Sequence, residues 1–124
     1  MSQQLVITSV VNLESITHVI HDRWFEVNDV AYDASRSRLT VPLESDSPAW
    51  WRPTSGGSGE KLRVGTLCIA NVDRYVLRET EGIGRYDFNS VRFNADEGRL
   101  DLITNIPVSF SVWVKSLLVT VSMD

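Results

Sequence analysis

A chain of 124 residues, 43% apolar and 23% charged, has the size and composition of one ordinary globular domain spanning 1–124. Its formal net charge of −4 and its dispersed arginines argue against a nucleic-acid partner, because nucleic-acid binders usually gather basic residues on one face. The N-terminus lacks the features of a secretory signal, no apolar run approaches the roughly 20 residues of a membrane span, and a single cysteine cannot form an internal disulfide, so we expect a cytoplasmic protein without membrane attachment.

The first predicted element is a helix from Leu13 to about His21. Its apolar residues recur at spacings of three and four, which places them on one face, and Asn12 is a plausible N-cap. The preceding residues 4–11 are rich in β-branched side chains and suit a strand, but they also continue the helical stripe. Both alternatives are open for that segment.

A short pattern then occurs twice, 61 positions apart, in residues 25–41 and 86–102. Five aligned positions are identical and others are chemically alike. Hairpin chemistry alone could produce part of this match, so duplication and coincidence are both possible origins. The pattern predicts two hairpins in pseudo-equivalent places, with strands at about 24–33, 38–44, 85–94 and 99–105.

Both copies change the phase of their period-two alternation at an asparagine, Asn28 in the first and Asn89 in the second. Such a shift requires an extra residue, hence a bulge or a corner. Because asparagine tolerates the left-handed backbone, we expect an irregularity at each of these residues. The second copy then turns through residues 94–98, where Gly98 suits the left-handed closing position of the turn.

Two further stretches alternate in the manner of strands. Residues 62–79 form either one long bent strand or a hairpin near Asn71-Val72-Asp73. Residues 107–124 alternate, slip at Lys115-Ser116 and resume, which predicts a bulge or corner there because an unbroken strand of that length is too long for a small domain.

Residues 44–60 interrupt the β pattern with prolines, glycines and serines, and we expect a mobile loop. The loop contains Trp50 and Trp51, which cannot both enter one core from an extended segment, followed by Arg52. Tryptophan and arginine are enriched in binding hot spots, so these three residues are the predicted binding site. The alternative is that one tryptophan anchors the loop to the β structure.

Other candidates for chemistry have simpler structural interpretations. His18 and His21 share a helix face at metal-ligand spacing, but no further ligand accompanies them, and we expect no metal and no cofactor. Cys68 lies in the middle of a strand and is expected to pack as a small apolar residue. The Gly82-Ile83-Gly84 motif precedes a strand, so it does not form a phosphate-binding loop.

The two turns, Tyr32-Asp33-Ala34 with Arg38-Leu39 and Phe93-Asn94-Ala95 with Gly98-Arg99-Leu100, resemble the YD-type hairpins of large bacterial repeat shells. The resemblance covers the hairpins alone and implies a shared hairpin structure without family membership.

The sequence therefore predicts a mainly antiparallel β fold, a sandwich or partly open barrel of about seven or eight strands, with one N-terminal α-helix. The leading function is a non-catalytic module that binds another protein, of unknown identity, through the loop or an exposed sheet edge. One alternative is a carrier of a small apolar ligand, with a cavity between sheet and helix lined by Phe88, Phe93, Phe110 or Trp113. Another is a hydrolase using Cys68 with His18 or His21. No catalytic residue is predicted, and the sequence leaves the oligomeric state open.

Overall fold

The computed structural model describes residues 3–44, 63–80 and 82–123. These residues form a ten-stranded, mainly antiparallel sheet and one N-terminal helix, which confirms the predicted fold class with more strands than expected. The helix is α1 (Leu13–Ile20). The strands are β1 (Gln3–Ile7), β2 (Trp24–Glu26), β3 (Ala31–Asp33), β4 (Arg38–Glu44), β5 (Arg63–Ile69), β6 (Val72–Arg78), β7 (Arg85–Asn94), β8 (Arg99–Thr104), β9 (Ser109–Val114) and β10 (Val119–Met123).

The N-terminal segment combines both structures considered for it. Residues 3–7 are strand β1, and a 3-10 turn at Val10–Asn12 leads into α1. Asn12 occupies the N-cap position of α1 but its side chain makes no capping hydrogen bond; the Ser9 hydroxyl instead accepts from the Val11 N–H at the start of the 3-10 turn. The predicted apolar face is confirmed, because the buried residues of α1 recur at spacings of three and four: Leu13, Ile16 and Ile20.

The strands run in the order β1-β10-β5-β4-β2-β7-β8-β9-β6, and β3 adds to β4 outside this path. The sheet can be described as a first section, β1 to β2 in that order, and a second section, β7 to β6. The antiparallel pair β2–β7 joins them, with Phe25 opposite Tyr86. Apolar residues from both sections and from α1 form one core cluster, so the two sections share their hydrophobic interior.

Aromatic rings occupy the junction of the two sections. Phe25 is fully buried and stacks on Phe88 with ring centroids 4.5 Å apart, and Phe110 lies 5.6 Å from Phe25. The Tyr86 hydroxyl donates to Glu79 Oε1 at 2.8 Å. Burial raises the pKa of Tyr86 above its usual value, and the hydrogen bond to the Glu79 carboxylate adds to the same shift.

Both copies of the repeated pattern contain a hairpin, and the same register recurs at the same offset. In the first, Tyr32 pairs with Leu39; in the second, Phe93 pairs with Leu100. The two flanking pairs in each hairpin correspond in the same way: Asp33 with Arg38 and Ala31 with Thr40, then Asn94 with Arg99 and Arg92 with Asp101.

The two predicted irregularities occur where the alternation changes phase, but in different forms. A 3-10 turn at Val27–Asp29 separates β2 from β3, whereas β7 stays continuous and its register shifts between Phe88 and Ser90, which leaves Asn89 as the extra residue. Neither Asn28 nor Asn89 uses the left-handed backbone that asparagine tolerates, because neither has a positive φ. A three-residue 3-10 turn in the first copy and a one-residue bulge in the second absorb the shift instead.

Positive φ values occur at the hairpin turns and at the strand break at Asn71, and also at Asp22 after α1 and at Gly82 and Gly84 before β7. Gly98 closes the second hairpin at φ 64°, as predicted, and Ser37 occupies the corresponding position of the first at φ 51°. The turn carboxylate of Asp33 accepts from the Arg36 N–H at 3.3 Å, and the Ser35 hydroxyl bonded to it lowers the pKa of Asp33 below its usual value.

The strands β6 and β10 each follow a strand of one section in the sequence but pair with a strand of the other section. β5 pairs with β4 and β10, whereas β6, which follows β5 directly, pairs with β9 in the second section. The predicted stretch is therefore not a hairpin but two strands, β5 and β6, divided at Asn71, where φ is 57°. β10 returns to the first section after a break at residues 115–118, which confirms the predicted corner. A hydrogen bond links the two strand breaks, because the Lys115 N–H donates to the Asn71 carbonyl at 2.9 Å.

We expect opposite changes in stability when the residues at the two corresponding turn positions, Ser37 and Gly98, are exchanged. Ser37→Gly should raise the free energy of unfolding by about 0.5–1 kcal/mol, because glycine adopts the left-handed region without the strain of a Cβ. Gly98→Ser should lower it by about 1–2 kcal/mol, since the position is left-handed and a Cβ there would lie 3.0 Å from the Val114 carbonyl oxygen. Urea unfolding of the two variants checks both signs, and a shift of the same sign in both would contradict the turn geometry.

Candidate functional site

The predicted binding residues Trp50, Trp51 and Arg52 lie outside the described residues, as does the rest of the expected loop after Glu44. The structure does describe the two ends of this segment. Glu44 and Arg63 are opposite each other in the β4–β5 pair, with a register shift between Leu43 and Glu44. The two described residues that flank 45–62 are therefore neighbours in the sheet.

A buried ion pair lies at the base of this segment. Arg85 Nε donates to Glu44 Oε1 at 2.9 Å, and both side chains are almost completely excluded from solvent. The Arg85 guanidinium also lies 4.7 Å from the ring centroid of Trp24, which is paired with Glu44 in the sheet. The register of β2 between β4 and β7 positions these groups, so the departure point of residues 45–62 is fixed by a charged pair within the sheet.

Two more carboxylates lie beside this pair. Ligand oxygens of Glu26, Asp29 and Glu44 are all within 4.8 Å of one another, and Asp29 and Glu44 border a cavity of about 380 Å³ together with Pro42 and Arg63. Hard cations prefer such oxygen ligands. However, Arg85 already supplies a positive charge to Glu44, and clustered acidic side chains alone do not identify a metal site. This cluster is not apparent in the sequence, because the 3-10 turn at Val27–Asp29 separates Glu26 from Asp29 and Glu44 lies far from both along the chain.

The corresponding place in the second hairpin has different chemistry. At an offset of 61 from Glu26 and Glu44 stand Asp87 and Asn105, and the Asn105 amide donates to Asp87 Oδ2 at 2.6 Å. A neutral amide thus faces a carboxylate there, with residues 105–108 forming the connection to β9. The longer connection is accompanied by the buried charges and the shorter one by an exposed hydrogen bond.

The two histidines lie on the exposed side of α1 and its C-terminus. His18, His21 and Thr17 border a recess of about 290 Å³, and His21 Nδ1 lies 3.1 Å from Asp22 Oδ2. Among residues 3–44, 63–80 and 82–123, no group of three metal-ligating side chains at coordination spacing includes either histidine. The Thr17 hydroxyl accepts from the Val91 N–H at 3.1 Å, so this part of the helix attaches to the edge of β7.

Cys68 is a half-buried free thiol on the face of β5 opposite to its buried neighbours Leu67 and Ile69. It stands between Thr40 and Thr120 on the adjacent strands. The recess beside the histidines is not bordered by Cys68. The structure places the thiol between two threonines of the adjacent strands, and the hydrolase alternative stays an untested prediction.

The aromatic residues expected to line a ligand cavity make packing contacts, although Phe110 also borders a recess of about 360 Å³ on the second section. Phe88 and Phe110 are buried against Phe25, and the Arg74 guanidinium lies 3.9 Å from the ring centroid of Trp113. A recess between helix and sheet does occur elsewhere, with a volume of about 310 Å³. Its bordering residues come from β1, α1 and β10: Gln4, Leu5, Val19, Val121 and Met123.

Comparison of the chain with protein-family models, with curated proteins and with solved structures finds no significant match. No helix within the described part of the chain is long and apolar enough to cross a membrane.

The buried ion pair predicts a large loss of stability when only one partner is replaced. Arg85→Met should lower the free energy of unfolding by about 3 kcal/mol, because it removes the ion pair from the buried Glu44 carboxylate. The double variant Glu44→Leu/Arg85→Met should recover most of this loss, since it removes both charges from the interior.

Chemical denaturation with Arg36→Met as the control checks this prediction. Arg36 pairs with Asp33 on the surface, where the side chains are 70% and 49% exposed, so its replacement should change stability by less than about 1 kcal/mol. Equal losses for Arg36→Met and Arg85→Met would contradict the role assigned to burial.

Proposed function

We propose that this chain is a non-catalytic protein-binding module that contacts another protein through residues 45–62, with Trp50, Trp51 and Arg52 as the principal contact residues. One observation carries the proposal. Glu44 and Arg63 are paired in the sheet, so the fold needs no long connection between β4 and β5. Residues 105–108 make the corresponding connection between β8 and β9. A long aromatic segment that the fold does not require is typical of a binding loop.

The comparison of the two connections rests on a second proposal, that the chain is built from two related halves. The shared hairpin register supports it, and so does the junction of the sections. Phe25 faces Tyr86, its own counterpart at the offset of 61. On either side of this pair, the Val27 N–H donates to the Gly84 carbonyl and the Phe88 N–H to the Arg23 carbonyl, both at 2.9 Å. These two bonds correspond by the same offset, as expected for a local two-fold axis between Phe25 and Tyr86.

The chemistry at the base of the segment also supports the proposal. Tryptophans give large contact areas at low entropic cost when their backbone is held firmly. The buried Glu44–Arg85 pair and the ring of Trp24 hold the first end of the segment on the sheet. If the two halves are related, they differ most beside the longer connection. We therefore expect the function of the chain at that connection.

The proposal includes a cytoplasmic location, where a single cysteine such as Cys68 stays reduced. It includes no nucleic-acid partner, because the net charge of −4 opposes binding to a polyanion.

The apolar-ligand carrier is a second candidate, and one observation favours it. The recess of about 310 Å³ between α1, β1 and β10 has the size of a small ligand and is bordered by Leu5, Val19, Val121 and Met123. Val19→Trp would fill this recess from the helix. If the chain carries an apolar ligand there, the variant should lose binding of an apolar fluorescent probe while its melting temperature is retained, and unchanged probe binding would contradict a carrier site in this recess.

The binding proposal predicts that Trp50→Ala/Trp51→Ala folds normally but loses its partner. Because hot-spot truncations cost about 2 kcal/mol or more, the affinity for a partner captured by the wild-type chain should fall by about 30-fold or more. Affinity capture followed by titration of the captured protein measures this change, with melting temperature as the check on folding.

Ile106→Ala is the matched control, because Ile106 is a 44% exposed apolar side chain in the shorter corresponding connection. It should retain the partner. A Trp50→Ala/Trp51→Ala variant that folds and retains every partner of the wild-type chain would overturn the role of residues 45–62.

A further inference from the structure

Beyond Val72, whose N–H donates to the Ser37 carbonyl at 2.8 Å, the outer edge of β6 pairs with no described strand. This strand pairs with β9 on one side and stands at one end of the strand order. At the other end of that order stands β1, and beside it β10 pairs with β5 on one side and with β1 on the other. The N-terminal strand therefore covers β10, whereas no described strand pairs with β6 beyond Val72 on its outer side.

The pairings make β6 and β10 counterparts. Val119 of β10 lies opposite Ile69, which itself faces Leu39. Tyr75 of β6 lies opposite Val112, which faces Leu100. Leu39 and Leu100 are the corresponding hairpin residues at the offset of 61, so Tyr75 takes the place in the second section that Val119 takes in the first.

This correspondence defines what a strand beside β6 would meet. In the first section, Ile7 faces Val119 and Leu5 faces Val121. Tyr75 and Leu77 of β6 correspond to Val119 and Val121. Both are partly buried against the core, and the Tyr75 ring also packs against Tyr32, with ring centroids 5.3 Å apart. An added strand that places apolar residues at alternate positions would complete their burial, as β1 does for β10.

The two arginines of β6 determine which side chains would suit the other face of an added strand. Arg74 and Arg78 are exposed and point to the face opposite Tyr75 and Leu77, and neither makes an ion pair with a described residue. Arg74 is held in place by Trp113, at 3.9 Å from the ring centroid. Carboxylates directly across from these two guanidinium groups would form cross-strand pairs, whereas basic residues there would be repelled.

We propose that the outer edge of β6 binds an extended segment of a partner protein as an added antiparallel strand, with apolar residues facing Tyr75 and Leu77 and acidic residues facing Arg74 and Arg78. The site is separate from residues 45–62 and does not depend on their proposed function. It uses main-chain hydrogen bonding for affinity and the alternating side chains for selectivity, as in other cases of strand addition.

The chain itself provides the probe for a test. A peptide of residues 3–8 with Gln4→Glu and Thr8→Glu, QELVIE, places leucine and isoleucine toward Leu77 and Tyr75 and a glutamate toward each arginine. The control peptide QKLVIK has the same apolar residues and the opposite charges. Fluorescence anisotropy of the labelled peptides with the full chain should show at least about ten-fold tighter binding of QELVIE. Equal affinities would overturn the proposed selectivity.

Two variants locate the binding on β6. Arg74→Glu/Arg78→Glu should reverse the preference of the chain, so that QKLVIK binds more tightly than QELVIE. This reversal cannot arise from a loss of folding, which would abolish binding of both peptides. The control Arg92→Glu changes a charge on β7 and should leave the preference for QELVIE unchanged. An unchanged preference in the β6 variant would overturn the site.

Backbone pairing is tested with N-methylated peptides and with hydrogen exchange. Two methylated forms of QELVIE carry methyl groups on alternate amides, one form on each of the two sets. Methylation of one set should abolish binding and methylation of the other should not, because only one set of amides faces β6. Bound QELVIE should slow amide exchange within Val72–Arg78. Slowed exchange confined to another strand would place the peptide elsewhere and overturn the proposal.

Two further outcomes exclude other occupants of the edge. Binding that occurs only after residues 45–62 are replaced by residues 105–108 would mean that the chain covers the edge itself, which overturns the proposal. A stable dimer with protected β6 amides in the absence of peptide would assign the edge to a second copy. Trp50→Ala/Trp51→Ala should bind QELVIE as the wild-type chain does, so the two proposals can fail independently.

Discussion

The antiparallel pairing of β2 with β7 is the interaction on which the other features of this molecule depend. It is short, but it is the link between the two sections of the sheet, and Phe25 and Tyr86 lie opposite each other within it. Burial of the Phe25 side chain against Phe88 and Phe110 stabilises the fold by several kcal/mol, as is typical of a large aromatic residue in a core. The same pairing brings Arg85 to Glu44, so the junction positions both the core and the base of the candidate binding segment.

The exchange of β6 and β10 makes each section incomplete without the other. β6 follows a strand of the first section and completes the second, and β10 does the reverse. Because most of these pairings join residues far apart in the sequence, loop closure has to precede their stabilisation, and we expect one cooperative and comparatively slow folding transition. The bond between the Lys115 amide and the Asn71 carbonyl holds the two crossing connections together.

Local periodicity was enough to predict the helix and the bounds of several strands. The strands β4 and β7 begin and end where the alternation of apolar residues does, and the helix begins at the predicted Leu13. The phase change at Asn28 and Asn89 also indicated real irregularities. The number of strands was underestimated because a 3-10 turn divides the first copy into β2 and β3, and because β5 and β6 are separate strands.

The pairing of strands and the charged cluster could not be predicted in this way, because the alternation of apolar residues does not indicate which strand lies beside another in the sheet. No pattern in residues 62–79 states that β6 pairs with β9, and Glu44 and Arg85 are far apart in sequence. The predicted binding residues Trp50, Trp51 and Arg52 came from composition, and the structure adds the fixed ends of their segment. The pattern at the offset of 61 gave the comparison between the two hairpins and their connections.

Amide hydrogen exchange at the junction tests the account most directly. If β2–β7 holds the molecule together, the Val27 and Phe88 amides, which donate to the Gly84 and Arg23 carbonyls, should exchange only through global unfolding and with the same free energy. Their exchange should then follow the denaturant dependence of the whole protein. Exchange of these two amides through local opening, while the strands of either section stay protected, would contradict the account.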